Sequence, residues 1–83
     1  MIAKMEKNEM IDILTPIFRN VFADGSLQVS DELNSLSVAN WDSLSHMLLI
    51  TEIENRFQIK FKLKDLNKMR NVGDMMDVIN TKL

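Results

Sequence analysis

The chain has 83 residues, 46% of them apolar and 27% charged, with a formal net charge of −2 and no Cys. One domain spanning residues 1–83 is expected, because a second core would have too little interior to fill, and the apolar fraction speaks against disorder. A negative net charge argues against binding nucleic acid, and the missing thiols remove disulfides, thiolate zinc sites and cysteine nucleophiles. With one histidine, His46, a His-rich metal site is excluded and no metal is expected. Independent catalysis is not expected either.

The start of the chain, with charges at Lys4, Glu6, Lys7 and Glu9, lacks the apolar stretch of a signal peptide. The longest purely apolar run, Met47 to Ile50, is far short of a membrane span, so no membrane insertion is expected. A first Met and a helix-like end lead us to expect a free-standing protein, with the cytoplasm as its default location.

The first helix is expected over residues 5–22, with Met10, Ile13, Leu14, Ile17, Phe18 and Val21 on one apolar face. Pro16 interrupts it, so the helix should be kinked or divided, Thr15 capping a second part. Residues 23–41 read as a long connection pinned inward by Leu27, Val29, Leu33, Leu36 and Val38. Its Asp24-Gly25 with Asp31 and Glu32 is an ordinary turn rather than a calcium loop, which would need an oxygen ligand where Phe22 stands.

The second helix should span residues 42–57. At about 100° per residue, Leu49, Ile50, Ile53 and Phe57 form its core face, with Met47 at the edge and His46 near it. Ser45, Glu52 and Arg56 form a solvated face. Leu44 and Leu48 fall with Thr51 and Asn55, largely opposite the core, as a candidate contact surface. Asp42 or Ser43 makes a good N-cap, and Trp41 before it is an apolar anchor whose indole N–H should find a carbonyl.

Residues 57–64 alternate apolar and polar and fit either a strand or an extended loop, with Lys60, Lys62 and Lys64 solvated. Leu66 and Met69 suggest a short turn of helix, and Asn71-Val72-Gly73-Asp74 opens a last helix with Val72, Met75, Met76 and Ile79 inward. The fold class is therefore all-α, a small four-helix bundle of three main helices plus one short one.

Asp42-Ser43-Leu44, opening an apolar helix that ends Ile53-Glu54-Asn55-Arg56-Phe57, resembles the acyl carrier protein family. The likeness continues through Ile59 and Phe61 to Asn71-Val72-Gly73-Asp74 and Val78-Ile79. Trp41 before the triplet and His46 after it resemble discrete carriers of specialised pathways, since fatty-acid carriers more often have Gly or Ala before Asp-Ser-Leu.

The resemblance implies that Ser43 is the attachment point of a 4′-phosphopantetheine arm, installed from coenzyme A by a phosphopantetheinyl transferase with magnesium. Its thiol would hold acyl or aminoacyl groups as thioesters for loading and processing enzymes, the chain itself being a monomeric, non-catalytic carrier. Asp42 would cap the helix and orient Ser43. Leu44, Leu48, Thr51, Glu52 and Glu54 would meet partners. Fatty-acid carriers typically show several acids along this helix, whereas Leu48, Thr51 and Asn55 stand here with acids only at Glu52 and Glu54. That implies a dedicated pathway and a relatively apolar encounter. Met47, Met69, Met75 and Met76 read as core filler, or as the lining of a crevice for an acyl chain.

The rival reading is a small helical protein-interaction module without a prosthetic group, using Leu44 and Leu48. Hydrolysis at Ser43 is disfavoured, because His46, three residues along the same helix, points poorly towards it.

Overall fold

The computed structural model describes residues 5–83, so the charged start read above lies partly outside the described residues. Four helices follow one another: α1 (Lys7–Val21), α2 (Ser43–Phe57), α3 (Leu63–Leu66) and α4 (Val72–Lys82). Among the described residues there is no strand, and no helix is long and apolar enough to cross a membrane.

Helix α1 runs unbroken through Pro16, which corrects the expected division. Pro16 and Asp12 both lie on the exposed side, where water can serve the carbonyl that proline leaves without a donor. Thr15 caps nothing; its hydroxyl donates back to the Ile11 carbonyl at 2.7 Å. Met10, Leu14 and Phe18, one turn apart, are fully buried and meet Leu49 and Ile53 of α2 and Val72, Met75, Met76 and Ile79 of α4 in one core.

The connection between α1 and α2 is irregular but well tied. Val29 is buried, and Leu27, Leu33 and Val38 pack against the core, as expected. Leu36 does not: it is 95% exposed. The Asn34 side chain accepts the Leu36 N–H at 2.8 Å and a turn closes from Ser37 N–H to the Asn34 carbonyl at 2.9 Å, which leaves Leu36 outside. Backbone bonds from Val72 N–H to the Leu33 carbonyl and from Gly73 N–H to the Asp31 carbonyl, both 2.9 Å, fasten this loop to the start of α4. At Gly73 a Cβ would stand 3.3 Å from the Asn71 side-chain oxygen and 3.4 Å from that Asp31 oxygen, which leaves little room to spare.

The alternation over residues 57–64 serves an extended link, not a strand. Gln58 ends α2 in the left-handed region at φ 58°, Ile59 and Phe61 turn inward, and Lys60 and Lys62 stay exposed. The short helix begins earlier than Leu66 suggested, at Leu63, because Asp65 accepts the Lys62 N–H at 2.8 Å and caps it there.

Candidate functional site

Three aromatic rings fix where α2 begins. Trp41, 9% exposed, lies edge-on to Phe18 with centroids 5.6 Å apart and tilted against Phe22 at 5.5 Å. Aromatic pairs of this geometry hold position as well as burying area. The residue before the helix is thus clamped to α1, and Asp42, Ser43 and Leu44 emerge on the surface beside it.

Asp42 is the N-cap: its carboxylate accepts the Ser45 N–H at 2.9 Å. Ser45 returns the favour, its hydroxyl accepting the Asp42 N–H at 2.9 Å and donating to the Asn40 carbonyl at 2.7 Å. Ser45 is therefore half-buried in a reciprocal cap, not part of a solvated face. The Ser45 N–H holds the Asp42 carboxyl below the usual carboxylate range.

Ser43 is the first residue of α2, exposed, and its hydroxyl has no hydrogen-bond partner among the described residues. With Asp42 and Ser45 satisfying each other, nothing competes for the Ser43 oxygen. It lines a crevice of about 530 Å³ together with Trp41, His46 and Met47 at the start of α2 and Leu66, Met69 and Arg70 from α3 and the link after it.

The Trp41 indole finds His46, not a carbonyl. Its N–H donates to Nδ1 at 3.0 Å, and the two rings are stacked with an interplanar angle of 20°. An indole only donates, so Nδ1 presents its lone pair, and the neutral ring carries its hydrogen on Nε2. Burial pushes the His46 pKa below its ordinary value, in keeping with that neutral form.

Along α2 the exposed stripe is apolar: Leu44 is 73% exposed, Met47 49% and Leu48 54%. Met47 thus belongs to the surface and not to the edge of the core. Thr51 and Glu52 are exposed on the same helix. Glu54 is set apart, half-buried, with one carboxylate oxygen accepting the Phe61 N–H at 2.8 Å. The methionines divide: Met75 and Met76 fill the core, while Met47 and Met69 line the crevice. For Met47 and Met69 the crevice reading is the one that holds, while Leu66 and Arg70 escape a sequence reading of the site, since they reach it from beyond the extended link. The Asp42-x-x-Ser45 spacing was the local signal for the cap.

No family model matches the sequence, and no curated protein does. Among solved structures, the chain is similar to the solution structure of a holo acyl carrier protein from Geobacter metallireducens. The two share 47% identity over 87% of this chain and 83% of that one, with a TM-score of 0.82. The chain belongs to the acyl carrier protein family. Asp42-Ser43-Leu44, the triplet that carries the resemblance, stands at the start of α2.

Proposed function

We propose that this chain is a discrete carrier that bears a 4′-phosphopantetheine arm on Ser43 and holds acyl or aminoacyl groups on it as thioesters, without catalysing a reaction itself. The observation that carries the reading is the exposed Ser43 hydroxyl, free of partners among the described residues, at the first position of α2 and lining a largely apolar crevice. The residues fit the group: the serine oxygen is available and the crevice gives the arm a place to lie.

Loading forms a bond from Ser43 Oγ to the β-phosphorus of coenzyme A and breaks that phosphorus's bond to the bridging oxygen. Adenosine 3′,5′-bisphosphate leaves, and the serine proton passes to a base on the transferase. The arm, when bound, supplies the thiol that this Cys-free chain lacks. Asp42 and Ser45 hold the first turn of α2 rigid so that Ser43 is presented in one geometry. Leu44, Met47 and Leu48 offer apolar area to the transferase and to the loading and processing enzymes, with Thr51 and Glu52 beside them. Tethering then raises the effective concentration of the cargo at whichever enzyme is docked.

Leu48, Thr51 and Asn55 stand exposed along α2, and together with Trp41 before the triplet they favour a specialised biosynthetic pathway over primary fatty-acid synthesis. The test is intact-protein mass after incubation with coenzyme A, magnesium and a promiscuous phosphopantetheinyl transferase. One added phosphopantetheine on the peptide containing Ser43, and none on a folded Ser43→Ala variant, is the expected result. An unchanged mass of the folded wild-type chain overturns the reading and leaves an unmodified interaction module.

A further inference from the structure

Resting on the assignment of the arm to Ser43, we propose that His46 and Arg70, which line the same crevice from α2 and from the link before α4, grip the arm's phosphodiester, His46 through its Nε2–H and Arg70 through its guanidinium.

Three observations lead there. Ser43 and His46 are three residues apart on α2 and line the same crevice. That spacing sets neighbouring Cβ atoms about 5–6 Å apart, so a group on the Ser43 oxygen is within reach of the imidazole. Secondly, Trp41 occupies Nδ1 at 3.0 Å, which fixes the hydrogen on Nε2. His46 is therefore a donor held in one tautomer and one ring plane, and Nε2 has no partner among the described residues. Thirdly, Arg70 reaches the crevice from the link before α4, 87% exposed, with a single long contact of 3.5 Å from Nε to Asp74. Most of its five N–H groups are free for a second anion, and a guanidinium matches a phosphate in charge and geometry.

The charges around the crevice agree with an anion lodged there. Among the described residues Asp42 is the only acid lining it, and one of its oxygens is already engaged by the Ser45 N–H. Asp74 faces Arg70 from the first turn of α4 and also accepts the Arg70 backbone N–H at 3.2 Å, so it steadies the residue without saturating it. A histidine that merely packed against Trp41 would be indifferent to loading. One that donates to the arm would not.

The test compares the apo chain with the holo form made by transferase loading, confirmed by intact mass, using nitrogen NMR of the His46 ring across pH and phosphorus NMR of the arm. Expected are the Nε2–H tautomer in both forms, a displaced Nε2 resonance on loading, and an upward shift of the His46 titration midpoint, because a nearby anion favours the charged ring. Arg70→Gln should move the phosphorus resonance towards that of the arm on unfolded chain. His46→Gln, which keeps both an acceptor for Trp41 and a donor, should preserve the wild-type phosphorus position, whereas His46→Leu should not. Mass gain with an unmoved His46 ring and phosphorus signal overturns this proposal alone. No mass gain on folded protein overturns it together with the assignment of the arm.

Discussion

Asp65 joins the short helix α3 to the last turn of α4: its carboxylate meets the Lys82 ammonium at 2.6 Å and also accepts the Lys62 N–H at 2.8 Å. Asp65 is the buried charged residue of the core region, and Lys82 folds over it with its side chain 20% exposed. Leu66, which follows Asp65 directly, lines the same crevice as Ser43.

Asp65 predicts an acid-sensitive α3. The Lys82 ammonium, and then the Lys62 N–H, hold its carboxyl below the usual carboxylate range. A carboxylate depressed on folding contributes stability that is complete above its unfolded pKa of about 3.9 and is lost as pH falls through the folded value. Asp65→Asn should therefore lower Tm at pH 7 and flatten the loss of Tm below about pH 4 relative to wild type. Thermal melts from pH 7 to 3 measure both. Equal acid slopes in the two proteins would show that the pair contributes nothing to acid unfolding.

His46 gives a second, separate pH dependence. Burial lowers its pKa in the folded chain, so the unfolded chain takes up a proton near pH 6.5 (about the ordinary value) while the folded one resists. The unfolded state then binds more protons, and stability must fall as pH drops from about 6.5 towards the folded pKa. Protonation at Nδ1 also ends the bond from Trp41. His46→Gln should remove this component while leaving the acid limb below about pH 4 in place. Indole fluorescence following the same midpoint in wild type, and no such midpoint in His46→Gln, is the expected outcome.

How far the sequence carries depends on whether a signal is local. Met10, Leu14 and Phe18 repeat at helical spacing, and the core face of α2 follows the same rule, so the three main helices and their inward residues are legible. The Asp42 cap and the exposure of Leu44 and Leu48 are local in the same sense. Leu36 is not, because a turn built by Asn34 sets its direction, and apolar character alone predicted the opposite. Alternation from 57 to 64 leaves strand and extended loop undecided for another reason: a strand needs a partner, and pattern alone does not supply one. Met47 and Met69 are legible as candidates for a crevice, but Leu66 and Arg70 are not, since they meet α2 only through the fold.

Two adjacent leucines should part company on substitution. Leu49 is fully buried against α1 and α4, and truncating it to Ala should cost about 2–5 kcal/mol in cavity and lost contacts. Leu48 is 54% exposed, and Leu48→Ala should change stability by no more than about 0.5 kcal/mol. If the α2 stripe meets the transferase, Leu48→Ala should lower kcat/KM for loading on the order of tenfold, the size of a central apolar contact. Denaturant melts and loading kinetics on the two variants separate the roles. A Leu48→Ala variant loaded at the wild-type rate would remove Leu48 from the docking surface.

Ala23 predicts a stabilising change. It follows the end of α1 at φ 53°, where the chain reverses and the Asp24 N–H reaches the Arg19 carbonyl at 3.0 Å. This is the left-handed position where helices usually end on glycine. A Cβ there crowds the carbonyl at a cost of roughly 1–2 kcal/mol, while glycine loses more freedom on folding, by about 0.5–1 kcal/mol. Ala23 is exposed, so no packing is lost with its methyl group. The balance favours Ala23→Gly by up to about 1 kcal/mol, or roughly 4–8 °C in Tm for a domain of this size. At Gly25, whose φ is not positive, the preference reverses: Gly25→Ala meets open space and only stiffens the unfolded chain, so it too should raise Tm. Thermal melts of both variants at neutral pH check the pair: a Tm for Ala23→Gly below wild type would mean that the turn tolerates the methyl group without strain.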